Sequence, residues 1–409
     1  MRTLLTIALM GAMLCSCDDS DFEKVKKPPQ NNEGDKTETP AVSWSERAKE
    51  QYDMINRLYK VSGGATAGLY NENYPKKSGD GSASFLWPYD GLVSGIAALH
   101  ELGYEVGYED AVSRFESYWR NSGVSAIGGY GSSTNGTTGG GDRFFDDNSI
   151  VGIDLVHAYR LTGNPVYIDR ASRIVKFLES GEDSVFGGGL WWNESLKNVS
   201  GNGDSNKPAC ANGYATLFLL DYYDVCPQSE KSDVLAFARR LYSWLKENLR
   251  DPADGCYWND KQAGSGSINQ MKWTYNTGVM ISNGVRLFKI TGDQTYLDDA
   301  KASAQGSYDY FVRPKAPLAL AYPDHDPWFT VKLVDSYLDI EAYFPTASRY
   351  IETFINFTEH AWNNARLDSG LFYEDWTGGK AGRAESLLMQ AAALEALGNI
   401  ALYKGESVK

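Results

Sequence analysis

Residues 141–150, GDRFFDDNSI, and the helical pattern that follows them to residue 161 decide the fold. Ile150, Ile153 and Val156 fall on one side of this segment, which is the spacing of a buried helix face. Asp147 or Asn148 is expected to cap the helix, because short polar side chains accept hydrogen bonds from its first free N–H groups. Two adjacent carboxylates at a helix start, behind two phenylalanines and a glycine-rich loop, indicate a functional site.

Asp146 and Asp147 suit glycoside cleavage with retention of configuration. That reaction needs two carboxyl groups about 5 to 5.5 Å apart, one as nucleophile and the other as general acid and then base. Neighbouring Cα atoms lie about 3.8 Å apart, so consecutive aspartates at a helix start can both reach one sugar. Their repulsion raises one pKa, which leaves one group ionised and the other protonated. The alternative is an N-cap aspartate beside a solvated one.

The composition favours an uncharged polymer as the partner. The chain has 409 residues, a formal net charge of −14 at pH 7 and only 4 His. This charge repels nucleic acid and anionic membrane surfaces, so we expect neither as a partner. The 26 Tyr, 11 Trp and 41 Gly suit a carbohydrate cleft with aromatic walls, although an aromatic-rich helical core has the same composition.

The N terminus is typical of a bacterial lipoprotein. Arg2 precedes an apolar run over residues 4–13, and Leu14-Cys15-Ser16-Cys17 resembles a lipobox. We therefore predict a signal peptide over residues 1–17, lipidation at Cys17 and an extracytoplasmic protein that meets the membrane only through this anchor. The alternative is an ordinary signal peptide, and the membrane face stays open. Residues 18–42, poor in apolar side chains, are expected to form a flexible linker before a folded domain over residues 43–409.

Helical patterns separated by glycine-rich loops account for nearly all of this domain. The predicted helices span about residues 43–60, 87–102, 108–121, 148–161, 165–179, 209–224, 230–249, 275–290, 294–312, 328–342, 346–363 and 383–403. Thr162-Gly163-Asn164 recurs in type as Thr291-Gly292-Asp293, where Thr-Gly is expected to end one helix and Asn or Asp to cap the next. Twelve helices in about six such hairpins predict an all-α (α/α)6 barrel, with an open superhelical array as the alternative.

The sequence predicts no metal and no cofactor. Cys210, Cys226 and Cys256 have no CxxC spacing, and their odd number leaves any disulfide unassigned. Residues 324–326, Asp-His-Asp, are the most metal-like cluster but lack further ligands nearby. The loop over residues 128–141 lacks the Lys-Ser/Thr ending of a phosphate-binding loop.

The order of the motifs resembles glycoside hydrolase family 76. The shared set comprises Asp146-Asp147-Asn148 at a helix start, the Thr-Gly-Asn corner, Gly187-Gly188-Gly189-Leu190-Trp191-Trp192, Lys197-Asn198, Asn212 and Tyr275-Asn276 with Gly278. The resemblance covers residues from about Trp44 to Tyr403 and implies an α-1,6-mannanase with an (α/α)6 barrel. This chain departs from the family pattern after the acid pair, where Ser149, Ile150 and Val151 replace a bulky aromatic residue.

The resemblance also implies roles for individual residues. Asp146 is the expected nucleophile and Asp147 the acid and base of a retaining mechanism, while Asp260 is a contact candidate near the reacting sugar. The residues expected to line the cleft are Trp87, Trp191, Trp192, Asn212, Trp273, Tyr275 and Asn276. Of the two adjacent tryptophans we expect one in the core and the other in the cleft, and Asn276 has a helix cap as its alternative role.

The expected activity is hydrolysis of α-1,6-linked mannan, with internal cleavage favoured, by a monomer that needs no cofactor. The rival enzyme classes are other (α/α)6 enzymes, such as an unsaturated glucuronyl hydrolase or a sugar epimerase. Their substrates favour a basic or His-rich pocket, which this acidic, His-poor chain does not suggest. A rival outside catalysis is a surface glycan-binding lipoprotein that keeps the fold and the aromatic residues.

Overall fold

Helices build nearly all of the computed structural model, which describes residues 42–135 and 140–408. The predicted signal peptide, the lipidation site Cys17 and the linker up to residue 41 lie outside the described residues. The twelve helices of the described part are α1 (Trp44–Tyr59), α2 (Leu86–Glu101), α3 (Tyr108–Ser113), α4 (Phe145–Thr162), α5 (Pro165–Glu179), α6 (Ala209–Val225), α7 (Lys231–Leu249), α8 (Thr274–Thr291), α9 (Gln294–Phe311), α10 (Pro327–Ile340), α11 (Ala347–Asn364) and α12 (Leu387–Tyr403).

The helices form two concentric rings, as the predicted (α/α)6 barrel requires. The even-numbered helices contact one another in the order α2, α4, α6, α8, α10 and α12, and α12 closes the inner ring against α2. Most odd-numbered helices pack outside against an inner helix next to them in the chain, such as α5 on α4 and α7 on α6. The inner helices are buried on nearly all sides, whereas outer helices such as α11 bury one face and expose the other. The fold prediction is confirmed.

The corners between helices follow the predicted turn chemistry. Gly163 ends α4 with a φ of 71°, and the side chain of Asn164 caps α5 by accepting from Val166 N–H. Gly292 ends α8 with a φ of 72°, and Asp293 caps α9 in the same way. Glycine is required at both ends because this left-handed backbone conformation is costly for other residues.

The start of α4 differs from the prediction. The helix begins at Phe145, and Phe144 is its N-cap without any side-chain hydrogen bond, so neither Asp147 nor Asn148 caps it. A long-range contact sets this boundary, since Phe145 N–H donates to the Trp192 carbonyl at 3.0 Å. Both acids therefore lie in the first helical turn. The third predicted helix is also shorter than expected, because α3 gives way to a 3₁₀ turn over Arg114–Tyr118.

Short antiparallel strands occupy the loops that join the helices. They are β1 (Trp119–Arg120) with β2 (Gly129–Tyr130), β3 (Asn206–Pro208) with β4 (Trp258–Gln262) and β5 (Ile268–Lys272), and β6 (Arg313–Lys315) with β7 (Leu318–Ala321). Strand β3 runs directly into α6 and β5 ends just before α8. The three-stranded sheet thus stands at the N-terminal end of the inner ring.

Two further observations complete the described part. No helix in residues 42–135 or 140–408 is long and apolar enough to cross a bilayer. Cys210, Cys226 and Cys256 are buried free thiols, so none of them forms a disulfide.

Candidate active site

A cavity of about 720 Å³ opens at the N-terminal end of the inner ring. The first turn of every inner helix contributes to its lining: Trp87 and Pro88 from α2, Asp146 and Asp147 from α4, Cys210 from α6, Tyr275 from α8, Trp328 and Phe329 from α10, and Leu388 from α12. Helix N-termini carry partial positive charge and free N–H groups. Six of them converge here, which favours carboxylates and polar ligands at this end of the barrel.

Asp146 is held by two neutral donors. Its Oδ2 accepts from Trp192 Nε1 at 3.0 Å and from Cys210 Sγ at 3.2 Å. Its Oδ1 is buried and has no hydrogen-bond partner among the described residues. Burial raises the pKa of Asp146, while the bonds from Cys210 and Trp192 and the N–H groups of the first helical turn oppose that rise. Oδ2 is thus held by two side-chain donors, whereas Oδ1 is buried and takes no hydrogen bond within the described chain.

Asp147 is the acid of the pair that holds a proton more tightly. Burial and then the neighbouring charge of Asp146 raise its pKa well above the usual range, and no hydrogen bond offsets them. The pair therefore combines an Asp146 carboxylate supported by donors with an Asp147 that lacks such support. This division is the one that a nucleophile and a general acid require.

Asn148 fixes the loop in front of the pair. Its Oδ1 accepts from Tyr130 N–H at 2.6 Å, while its Nδ2 donates to the carbonyls of Tyr130 at 3.0 Å and Phe144 at 2.7 Å. The side chain is fully buried. The amide thereby ties strand β2 to the start of α4 and determines where the two preceding acids point.

Aromatic rings form the walls of the cavity. On one side Phe329 stacks on Tyr275 with ring centroids 4.0 Å apart and on Trp87 at 5.7 Å, and Trp273 meets the same ring edge-on at 5.5 Å. On the other side Phe144 packs against Trp192 at 4.9 Å. Such walls offer apolar faces to sugar rings, while polar groups between them fix the hydroxyls.

Charged residues at the rim are held in ion pairs or hydrogen bonds. Arg383 lines the cavity and pairs with Glu374 and Asp326. These contacts lower the pKa of Glu374 to about 2 although its burial opposes the shift. Asp142 accepts from Asn193 Nδ2 at 3.3 Å. The rim therefore offers no unpaired arginine within the described residues for an acidic substrate.

The predicted site residues divide into two groups. The cavity brings together Asp146, Asp147, Trp87, Trp192, Trp273 and Tyr275. The expectation for the adjacent tryptophans is confirmed, since Trp192 lines the cavity whereas Trp191 is fully buried and donates to Asp183 at 2.7 Å.

Four residues predicted to line the cleft lie behind it. Trp191 is one, and Asn212 is buried with its amide bonded to the backbone of Leu190. Asp260 is 2% exposed and accepts from Asn259 and Asn269, and Asn276 is buried with its amide 3.3 Å from Asn259. These buried residues act behind the cleft instead. Asn212 holds the loop at Leu190, and Asp260 and Asn276 contact Asn259, which lines the cavity.

Several lining residues were not predicted. Cys210 and Phe329 lie in first turns of inner helices, so the expected convergence of these turns was the signal that could have identified them. Asn206, Asn259 and Arg383 come from loops and strands, where the sequence gives no such guide. The Asp-His-Asp cluster at residues 324–326 is placed at the rim, and no group of His, Cys, Asp and Glu in the described chain could hold a metal ion.

A second cavity of about 330 Å³ lies at the opposite end of the inner ring, and Ile150 lines both cavities. Ion pairs dominate it: Lys332 contacts Glu395 and Asp335, and Arg286 contacts Asp221 at 2.8 Å and Asp339 at 2.7 Å. The same α4 face that carries Asp147 supplies Asp154 and His157 here. This rear cavity is therefore a network of paired charges.

Comparison with known proteins agrees with this geometry. A family model described as glycosyl hydrolase family 76 matches residues 43–408. A search of curated proteins gives no match. Among solved structures, the family 76 mannosidase Bt3792 from Bacteroides thetaiotaomicron VPI-5482 is 21% identical, covers 89% of this chain and 99% of its own, and has a TM-score of 0.77. The α-mannanase BT2949 from Bacteroides thetaiotaomicron is 24% identical over 89% of this chain and 96% of its own, with a TM-score of 0.75.

A third structure contains an oligosaccharide. It is an inactive variant of the α-1,6-mannanase GH76A of Salegentibacter sp. HEL1_6 in complex with α-1,6-mannotriose, in which two consecutive aspartates are replaced by asparagine. It is 22% identical, covers 88% of this chain and 99% of its own, and has a TM-score of 0.71. These likenesses show the barrel, and the family model spans nearly all of the described residues, so the chain belongs to glycosyl hydrolase family 76.

Proposed function

We propose that the protein is a retaining hydrolase that cleaves α-1,6-mannosidic linkages in mannan. The observation that carries the proposal is the acid pair at the floor of the aromatic-walled cavity, where Asp146 Oδ1 has no hydrogen-bond partner among the described residues. Family membership supports hydrolysis, and the relatives named above, among them a variant with two adjacent aspartates replaced, support the linkage and the pair.

The chemistry follows from the two environments. Asp146 attacks the anomeric carbon through Oδ1 while Asp147 gives its proton to the glycosidic oxygen, which leaves as the new hydroxyl end of the departing chain. A covalent mannosyl ester on Asp146 results. Asp147, now ionised, takes a proton from water as the water oxygen attacks the same carbon, and the ester bond to Asp146 breaks. Asp147 ends protonated and Asp146 ends ionised, so both groups return to their starting states.

The walls fit a neutral polysaccharide. Phe329, Tyr275, Trp87 and Trp273 form one contiguous aromatic cluster in the cavity lining, and Phe144 and Trp192 form another. A sugar bound between them places its apolar ring faces on the aromatic groups. The cation at the rim, Arg383, is already neutralised by Glu374 and Asp326, which disfavours a uronate substrate.

The test is release of oligosaccharides from unbranched α-1,6-mannan. The wild type should release products, and Asp146→Ala and Asp147→Ala should each abolish release without loss of the folded state. Asp298→Ala is the matched control, because Asp298 also belongs to an Asp-Asp pair but is exposed on α9. Activity that survives both cavity substitutions would contradict the assignment. Binding of mannan by a wild type that releases nothing would favour a glycan-binding protein instead.

Internal cleavage is part of the proposal. An endo-acting enzyme should produce a ladder of intermediate lengths early in the reaction, and a terminal cleaver should release one small product from the start. Product profiles over time on linear mannan decide between them. A monomer is the proposed acting unit.

We propose further that Cys17 carries a lipid that anchors the protein outside the cytoplasm. The support is the lipobox-like Leu14-Cys15-Ser16-Cys17 after an apolar segment. The full-length protein expressed in a bacterial host should incorporate labelled fatty acid and sediment with membranes, and Cys17→Ala should do neither. Label that persists in Cys17→Ala would refute the site.

A further inference from the structure

The start of α6 faces the start of α4 across the floor of the cavity. Cys210, the second residue of α6, is 6% exposed and directs its sulfur to Asp146 Oδ2 at 3.2 Å. The phenol of Tyr275, in the first turn of α8, interacts with the same thiol. Three neighbouring inner helices thus meet around one carboxylate.

The thiol can only act as a donor in this position. Burial first, and then the charge of Asp146, raise the pKa of Cys210 well above its usual range, so the sulfur keeps its hydrogen at neutral pH. A carboxylate with no proton accepts only. The hydrogen of the thiol therefore lies between sulfur and Oδ2.

The two oxygens of Asp146 differ as a result. Oδ2 accepts from both Cys210 and Trp192, whereas Oδ1 is buried without a partner in the described chain. A carboxylate that swings about its χ2 angle exchanges its oxygens, and two donors on one oxygen oppose that exchange. A single hydrogen bond from Trp192 would still allow the carboxylate to rotate. The bond from Cys210 is a second restraint on the position of Oδ2.

We propose that Cys210 is a positioning residue, whose S–H holds Oδ2 of Asp146 so that Oδ1 is the oxygen that attacks the sugar. This inference rests on the proposed function. It adds a residue that acts through the nucleophile and does not touch the reacting atoms. The donor also stabilises the ionised nucleophile relative to its protonated form.

The consequence for pH dependence has a definite sign. Loss of the Cys210 donor raises the pKa of Asp146, and since Asp146 must be ionised, the acid limb of kcat/KM moves to higher pH. The titratable groups that face this carboxylate within the cavity are Asp147, Cys210, Tyr275, Glu72, Asp142 and Arg383. Asp147 governs the opposite, alkaline limb, so the two limbs separate the effects.

The test compares Cys210→Ala, Cys210→Ser and Cys226→Ala. A hydrogen bond to a charged acceptor is stronger than a neutral one, although thiols donate weakly. Cys210→Ala should therefore lower kcat/KM about tenfold and raise the acid limb by about half to one pH unit. Serine keeps a donor, so Cys210→Ser should stay close to wild type in both measures. Cys226, at the other end of α6, is also 6% exposed but bonds only a backbone carbonyl, and its substitution should change neither.

Two results would overturn the inference: an acid limb in Cys210→Ala that matches wild type, or a Cys210→Ser variant as impaired as Cys210→Ala. An infrared measurement separates this failure from failure of the proposed function, because it needs no substrate. The S–H stretching band that disappears in Cys210→Ala should lie at lower frequency in the wild type than in Asp146→Ala. A band that Asp146→Ala leaves in place would refute the hydrogen bond even if mannan is never cleaved.

Discussion

The two ends of helix α4 carry the same kind of side chain in opposite circumstances. At the front, Asp146 accepts from two neutral side chains and Asp147 has no such support, and no cation pairs with either acid in the part of the chain that the structure describes. At the rear, Asp154 faces a cavity in which Lys332 and Arg286 each hold two carboxylates. Four of the rear carboxylates thus share two cations, whereas the front pair has no cation partner in the described chain.

This difference separates stability from catalysis on one helix face. A carboxylate paired with lysine or arginine has its charge compensated, so its reactivity is low. A buried pair without a cation raises its own pKa and costs folding free energy, which is the usual condition of catalytic acids. Ile150 is 9% exposed and lines both cavities, so it forms part of the wall between the front acids and the rear ion pairs.

The largest expected effect is on kcat and comes from a substitution of Asp147 in the front cavity. Asp147→Asn keeps the shape of the side chain but cannot deliver a proton, so kcat should fall at least about 10³-fold. Asp147 must be protonated, so wild-type activity should fall as pH rises through its raised pKa, and this alkaline limb should vanish in the variant. The unfolding free energy should stay equal or rise, because asparagine needs no proton uptake to stay neutral in this buried position. Initial rates on mannan against pH and urea unfolding measure both, with Asp298→Asn as control.

A change at the rear should act in the opposite sense. Lys332→Met keeps an unbranched apolar side chain but removes the ammonium group that lies over the Trp328 ring, and it leaves Glu395 buried without its cation. The unfolding free energy should fall by about 3 kcal/mol, while the folded variant keeps its kcat/KM. Lys176→Met, on the exposed face of α5, should change stability by less than about 0.5 kcal/mol. A Lys332→Met variant that loses activity but keeps its unfolding free energy would contradict the assignment of the rear cavity to stability.

The pH dependence of the unfolding free energy tests the role of Asp154 in the rear cavity. Burial raises the pKa of Asp154 to about 6, against the attraction of Lys332 and His157. Between about pH 4 and pH 6 the folded chain therefore holds a proton that the unfolded chain loses, and the unfolding free energy falls as pH rises through this window. Asparagine does not titrate, so Asp154→Asn abolishes the loss of a proton on unfolding. The substitution should add about 1–2 kcal/mol to the unfolding free energy at pH 7 and much less at pH 4. Equal effects at both pH values in urea unfolding would contradict it.

The smallest effect concerns the wall. Ile150→Val removes one methyl group from a buried side chain that both cavities touch, and should cost about 1 kcal/mol of unfolding free energy. Because valine still separates the cavities, the pH profile of kcat/KM should not move. A displaced profile would mean that the charges at the two ends are coupled through this position.

The sequence predicts the elements that depend on local chemistry. The Thr-Gly-Asn and Thr-Gly-Asp corners carry their own turn and cap residues, so the ends of α4 and α8 and the starts of α5 and α9 follow from the sequence. The acid pair was also visible, because charge repeated at a helix start has few structural explanations.

Features set by tertiary contacts were not predictable in this way. The start of α4 depends on the Trp192 carbonyl, which is distant in sequence from Phe145. The choice between Trp191 and Trp192 depends on which indole meets Asp183 and which meets Asp146. The rear network draws one to three charged residues from each inner helix, so no segment of the chain carries a recognisable motif for it.

Asn148, the third residue of Asp-Asp-Asn, has a structural role of its own. Its amide copies the donor and acceptor of a backbone peptide and completes a rung of β pairing with Tyr130 from inside a helix. An aspartate here would turn acceptor oxygens toward the carbonyls of Tyr130 and Phe144, and a leucine would leave all three bonds unmade. Deamidation of Asn148 would therefore break the link between β2 and the start of α4 without a change to either acid.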